Sequence, residues 1–244
     1  KHHVLIRHLQ AVETLGALQT VCLDKTGTIT WNRMTVTRIY ADGERIDLRL
    51  GTFSAEDRTV DPVEDERLYQ LMLVCCLCSE ASFNGGGSGM PPVLRGTPTE
   101  KALLEMALDA GLDIAEIRKK HRLLKLWNRS ERHLYMGSLH ASSNGRGLLY
   151  AVKGSPAEVL AMCDQVAENG EGRPLTEELR LRIETENERM ASEALRILGV
   201  ACAELSEAPG KRLENGLTWL GLVGMQDPIR DGAAELIRMY HRAG

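Results

Sequence analysis

The sequence predicts an α+β domain, a twisted antiparallel sheet with flanking helices, inserted into a truncated α/β domain formed by the two ends of the chain. Three observations carry that expectation. Apolar, β-favouring runs surround the turn dipeptides Asp42-Gly43 and Asn144-Gly145, the local mark of antiparallel hairpins. Helical patterns with capping residues follow Thr97, Ser155 and Thr176. The ends read differently: Val21-Cys22-Leu23 enters a polar loop, and residues 217–225 enter a helix, as strands of an α/β sheet do. The expected division is 1–30 and 227–244 for the α/β pieces and 31–226 for the inserted domain.

Taken in order, residues 21–23 have the pattern of a buried strand that delivers a loop at its carboxyl end. Residues 35–40 and 45–50 are strands around Asp42-Gly43. Residues 63–80 form a helix, with Leu68, Leu71, Met72 and Cys75 at helical spacing. The Gly- and Pro-rich residues 84–96 form a flexible loop. A helix begins at Thr97, with Pro98 in its first turn, and stops at Gly111. Residues 133–140 and 148–152 are strands around Asn144-Gly145. Ser155-Pro156-Ala157-Glu158 opens a helix with a capping box. Residues 176–192 form a long charged helix, 195–203 and 217–225 are strands, and Asp227-Pro228 opens an amphipathic helix to the end of the chain.

With 244 residues the chain has room for one large or two modest cores. A net charge of −4 argues against a nucleic-acid partner. No window approaches the ~20 apolar residues that span a bilayer, and no signal peptide is visible, so a soluble intracellular chain is expected. Cys75 and Cys78 spell C-x-x-C inside the apolar run that starts at Leu71, with no second ligand pair. Buried reduced thiols are therefore expected rather than a metal site.

The chemistry concentrates in Asp24-Lys25-Thr26-Gly27-Thr28-Ile29-Thr30. A carboxylate at the end of a buried strand can attack a γ-phosphate in line and become an aspartyl-phosphate. Lys25 and the amides around Gly27 can offset charge on the transferring group. A bare Asp-Lys-Thr equally suits a polar turn with a capping aspartate. The whole heptapeptide, however, resembles the phosphorylation motif of P-type ATPases. That resemblance implies Asp24 as the phosphorylated nucleophile, with Lys25, Thr26 and Thr28 as catalytic companions. It also implies Mg²⁺ held by Asp24 and the Thr26 carbonyl together with residues beyond this chain. Phosphatases of the wider haloacid-dehalogenase-like superfamily carry a second Asp two residues after the nucleophile. Thr26 stands there instead and cannot activate water, so the intermediate should persist, as a pump needs.

The resemblance, to pumps of the calcium and sodium–potassium group, runs along nearly the whole chain. Leu9-Gln10-Ala11-Val12-Glu13-Thr14-Leu15-Gly16 looks like the segment that precedes the motif. Gly96-Thr97-Pro98-Thr99-Glu100-Lys101-Ala102-Leu103 resembles the nucleotide-domain segment whose Glu meets the adenine amino group; Thr97-x-x-Glu100 also reads as a plain capping box. Trp127-Asn128-Arg129-Ser130-Glu131-Arg132 aligns with a segment that opens on a stacking Phe and ends on a phosphate-binding Lys, here Trp127 and Arg132. Core packing on an edge strand is the other reading of Trp127. Lys153-Gly154-Ser155-Pro156-Ala157-Glu158 resembles the mouth of the nucleotide pocket, where Lys153 supplies a cation, Gly154 leaves room for a ligand and Glu158 is a capping residue. Arg196 matches an ATP-reaching Arg in a strand and would need phosphate or a carboxylate as partner. Gly224-Met225-Gln226-Asp227-Pro228-Ile229-Arg230 resembles the return hinge, in which Asp227 also caps a helix and Asp227 and Arg230 approach the nucleotide on closure.

The resemblance implies ATP and Mg²⁺ as ligands and a parent that couples ATP hydrolysis to cation transport. It places this part on the cytoplasmic side of a membrane, with transmembrane and actuator domains and two further phosphate-site loops as missing partners. The chain is thus expected to be an excised piece that binds nucleotide weakly without turning it over. A soluble phosphatase with residues 31–226 as its cap, or a non-catalytic nucleotide-binding module, are the alternatives.

Overall fold

The computed structural model describes residue 17 and residues 19–56, 58–84, 93–142, 147–168 and 170–243. They divide into two compact units, one spanning Met34–Gln226 and the other made of the pieces up to Arg33 and from Asp227 onward. The segment from Leu9 to Gly16 lies outside the described residues.

The larger unit runs β1 (Thr35–Ala41), β2 (Glu44–Arg49), β3 (Thr52–Ala55), β4 (Arg58–Thr59), α1 (Glu66–Leu77), β5 (Ser82–Asn84), β6 (Val93–Arg95), α2 (Pro98–Asp109), α3 (Ile114–Lys120) and β7 (Leu123–Trp127). It continues through β8 (Tyr135–Ala141), β9 (Leu148–Gly154), α4 (Pro156–Ala161), β10 (Cys163–Glu168), β11 (Glu171–Pro174), α5 (Glu177–Ser192), β12 (Arg196–Leu205) and β13 (Leu217–Gln226). The main sheet has the order β4-β3-β2-β1-β13-β12-β9-β8-β7. Every pairing along that path is antiparallel; β10 joins the start of β13 in parallel and carries β11 on its other side. The β1–β2 turn needs positive φ at both central residues, which Asp42 (49°) and Gly43 (76°) supply.

Side chains alternate between the two faces of such a sheet. One face, with Ile39, Ile46, Ala151 and Val200, is covered by Leu68, Leu71 and Met72 of α1, Leu103 and Leu104 of α2 and Ile114 of α3. The other, with Tyr150, Val152, Ala201 and Trp219, is covered by Val159 and Leu160 of α4 and Ile183 and Met190 of α5. β13 is buried along nearly its whole length because both faces are covered, which is why it reads as an unbroken apolar run.

Several sequence expectations are corrected. The first helix begins at Glu66 rather than residue 63, because the Asp65 carboxylate accepts from the Arg67 and Leu68 amides and starts it there. The two ends of the Gly-rich tract pair as β5 and β6. Ser155 makes no side-chain cap; Glu158 instead accepts from the Leu134 amide at 2.8 Å, tying α4 to the β7–β8 connection. Residues 21–23 form no strand and are exposed, since no described strand lies alongside to take their hydrogen bonds.

In the smaller unit Lys25–Ile29 form one wide turn, interrupted by non-helical Thr26 (ψ 118°) and Gly27 (φ 81°). Thr30 bridges Ile229 in antiparallel fashion. The helix expected from Asp227 begins only at α6 (Ala233–Ala243), because the Asp227 carboxylate is engaged elsewhere. No helix among the described residues is long and apolar enough to cross a membrane.

Candidate functional site

Thr97 caps α2, its hydroxyl accepting from the Glu100 amide at 3.3 Å, and Pro98 fills the first turn. The Glu100 carboxylate, however, turns toward the exit of α1 instead of back to its own helix start. Its Oε1 accepts from the Glu80 amide at 2.9 Å, the Ser79 hydroxyl at 3.4 Å and the Lys153 ammonium at 3.5 Å. Both charged groups are buried, Glu100 at 7% exposure and Lys153 at 6%. Two charges this deep persist only because each answers the other and the amide adds a further donor.

Lys153 lies on β9 opposite Met136 of β8 and Val200 of β12, and so faces the α1–α2–α3 side of the sheet. Around it stand the thiols of Cys75, Cys76 and Cys78. Burial pushes Cys76 up to about 12 and raises Cys75 and Cys78 as well, against the pull of the Lys153 charge. Burial thus favours the protonated thiol over the thiolate at all three. Among the described residues no group of three His, Cys, Asp or Glu is arranged to hold a metal.

Trp127 carries two expectations, a stacking surface for adenine and core packing on an edge strand. It pairs with Gly137, which pairs with Val152, and its ring meets Tyr150 edge-on at 5.4 Å with Lys125 over its face at 4.8 Å. That is the face of the sheet opposite Lys153 and Glu100, because residues of opposite parity on one strand point apart. Its neighbour Asn128 does reach the Glu100 side, donating from Nδ2 to Glu80 at 2.9 Å. Arg132 is exposed in the turn that Ser130 and His133 close.

Gly154 is expected to leave room at the mouth of the pocket. A Cβ there would strike the Cα and Cβ of Tyr135 and the Leu134 carbonyl, so the missing side chain admits the neighbouring strand rather than a ligand. Arg196 opens β12 exposed to solvent, so its charge needs no buried partner.

In the smaller unit Asp24, Lys25, Thr26 and Thr28 are all exposed along one loop. The base of that loop is held by the returning chain. Asp227 accepts from the Thr30 hydroxyl at 2.5 Å and the Arg33 amide at 3.0 Å. Arg230 donates to the Thr30 carbonyl at 2.9 Å and the Gly27 carbonyl at 2.8 Å, and its guanidinium covers the Trp31 ring at 4.8 Å. Asp227 and Arg230 thus fix the loop that carries Asp24.

Sequence reasoning did not single out Ser79, Glu80 and Arg118. Ser79 and Glu80 meet Glu100 from a segment read as the end of a helix, and Arg118 reaches the same segment from α3 through the Cys76 and Ala81 carbonyls; no local pattern marks contacts between residues so far apart in sequence.

The family model for P-type ATPase, cytoplasmic domain N, matches residues 67–232. A plasma membrane-type calcium-transporting ATPase of Arabidopsis thaliana is 34% identical over 98% of this chain and 23% of its own length. A calcium-transporting ATPase of Listeria monocytogenes is 33% identical over the whole chain and 26% of its own. A cation-transporting ATPase of Synechocystis is 34% identical over the whole chain and 28% of its own. The chain therefore spans about a quarter of the length of these relatives. With the family model matching more than half of the chain and these relatives aligned over nearly all of it, this chain belongs to the P-type ATPase family and carries its cytoplasmic domain N.

Proposed function

We propose that the larger unit binds the adenine nucleotide at Glu100 and Lys153, and that the smaller unit is part of a haloacid-dehalogenase-like phosphorylation domain into which the larger one is inserted. The buried Glu100–Lys153 pair carries this reading. At 3.5 Å it is loose for an ion pair, and Glu100 Oε2 takes none of the three bonds made by Oε1. A carboxylate oxygen suits the exocyclic amino group of adenine, and a cation beside it suits the nucleotide's negative charge. Arg132 and Arg196, both exposed on the larger unit, are cations available to the phosphates.

In the parent protein Asp24 attacks the γ-phosphorus in line as the bond to the β-phosphate oxygen breaks, and ADP departs with that electron pair. Asp24 and the Thr26 carbonyl are hard oxygen donors of the kind Mg²⁺ prefers, on an exposed loop open to further ligands. Bound Mg²⁺ would offset charge on the transferring phosphoryl group. Thr26 offers no base for water, so the aspartyl-phosphate persists long enough to drive transport of a cation, Ca²⁺ being what several relatives' names state.

Titration of the chain with ATP tests the nucleotide site. Binding with a Kd on the order of 0.1–10 mM is expected, weakened at least fivefold in Lys153→Gln. Equal affinity in the two proteins would refute the assignment.

A further inference from the structure

Arg118, Lys119 and Lys120 close α3 as a run of cations, and only the first turns inward. Lys119 and Lys120 are exposed and stand 3.7 Å from Glu116. Arg118 instead directs its planar fork at the exit of α1. Its Nε and Nη2 donate to the Cys76 carbonyl at 3.1 and 3.0 Å, and its Nη1 donates to the Ala81 carbonyl at 2.8 Å. The Cys76 carbonyl belongs to the last turn of α1, where no helical amide remains to satisfy it. The Ala81 carbonyl lies at the other end of the turn that follows. One guanidinium thus holds both ends of residues 76–81.

Between those ends sit the two groups that hold Glu100 Oε1, the Ser79 hydroxyl and the Glu80 amide. The Ser79 hydroxyl also accepts from the Ala81 amide at 3.2 Å, tightening the same turn. We propose that Arg118 is a positioning residue for base recognition: by clamping this turn it fixes the donors on Glu100 Oε1 and so sets the direction of Oε2. The inference rests on the reading of Glu100 as the group that meets the adenine amino group. Lysine cannot replace it, since a single ammonium does not span two carbonyls in one plane as the fork does.

The test compares ATP and GTP binding by calorimetry in the unmodified chain, Arg118→Lys, Arg118→Gln, Glu100→Gln and the Arg118→Lys/Glu100→Gln double variant, with thermal unfolding of each. GTP is the control because guanine presents a carbonyl where adenine presents its amino group. Arg118→Lys is expected to lower ATP affinity about tenfold, the equivalent of one charge-assisted hydrogen bond, with GTP affinity unchanged. In the Glu100→Gln background the same change should leave the ATP-to-GTP ratio where Glu100→Gln alone put it. A wild-type ratio in both folded Arg118 variants, or full additivity in the double variant, overturns the positioning role while the nucleotide site stands. A wild-type ratio in Glu100→Gln overturns the reading of the site and this inference with it. Amide exchange on the unmodified chain is independent of how the variants fold. Slow exchange is expected at Glu80, and exchange as fast as at exposed Gly210 would refute the clamp.

Discussion

Glu100 and Lys153 meet from a helix and a strand far apart in sequence, their charged ends 3.5 Å apart and both almost wholly out of water. Burial penalises each charge alone by several kcal/mol, so the pair stands or falls together. Removing one partner leaves the other exposed to that penalty. The backbone amide of Glu80 and the Ser79 hydroxyl soften the loss on one side only, because they serve the carboxylate and do nothing for the ammonium.

That asymmetry sets the first prediction. Glu100→Gln strands a buried ammonium and should destabilise the larger unit by about 3–4 kcal/mol. Lys153→Met leaves the carboxylate its two neutral donors and should cost less, about 2–3 kcal/mol. Urea unfolding at pH 7 checks the order; equal losses would mean the amide contributes nothing to holding the charge.

A second prediction concerns acid. His140 is buried on β8 with Nδ1 at 3.1 Å from the His121 carbonyl, to which it donates, and Nε2 at 2.8 Å from the Ser138 hydroxyl, from which it accepts. Burial, with smaller contributions from the charges of His121 and Arg118, holds its pKa down to about 4, against a bond to the His121 carbonyl that favours the proton. The unfolded chain therefore binds this proton more readily than the folded one between pH 6.5 and 4. Stability is complete above pH 6.5 and falls as pH drops through that window, by about 3 kcal/mol from this residue. His140→Gln should flatten that part of the curve. Denaturant midpoints at pH 7 and pH 4.5 for both proteins provide the comparison, because carboxylates that also titrate there change both alike.

How far the sequence could go is clear from particular elements. Asp42-Gly43 and Thr97-Pro98 announced their turn and cap because the required conformations are local, and both formed where expected. The apolar runs of β12 and β13 were visible for the same reason: burial on both faces leaves no polar alternation to obscure them. β10 and β11 were not visible, since Cys163–Glu168 and Glu171–Pro174 lie at the margin of the sheet with mixed burial and weak periodicity. At the site, Glu100 and Lys153 were legible as residue types in a familiar pattern. Strand parity was not: one residue of register decides whether Trp127 faces Lys153 or turns away, and no composition of the segment encodes that choice. The cap at Ser155 failed for a related reason, because Glu158 found a distant amide at Leu134.

Strand parity gives the third prediction. Trp127→Ala removes an edge-on contact with Tyr150 and a half-buried ring from the face covered by α4 and α5. Stability should fall by about 1.5–3 kcal/mol, below the range for a fully buried aromatic. ATP affinity should stay within about twofold of the parent chain, less than 0.5 kcal/mol. Titration of Trp127→Ala at a temperature where it remains folded decides the matter, and a tenfold loss would return the indole to the nucleotide.

The last prediction isolates why residue 154 has no side chain. Gly154 pairs with Tyr135 on one side and Gly199 on the other, so the strand passes between two close neighbours. A methyl group there would overlap the Tyr135 backbone and the Leu134 carbonyl, neither of which can move as a flexible side chain could. Gly154→Ala should therefore destabilise by about 2–3 kcal/mol through overpacking, whereas Gly210→Ala, which meets nothing within 4 Å, should be nearly neutral. A ligand-room role predicts another pattern: undiminished stability with weakened nucleotide binding. Thermal unfolding and ATP titration of the two alanine variants separate the readings. The strand-approach account requires that affinity, measured on the folded fraction of Gly154→Ala, falls no more than the shift of β8 away from β9 can explain through Lys153.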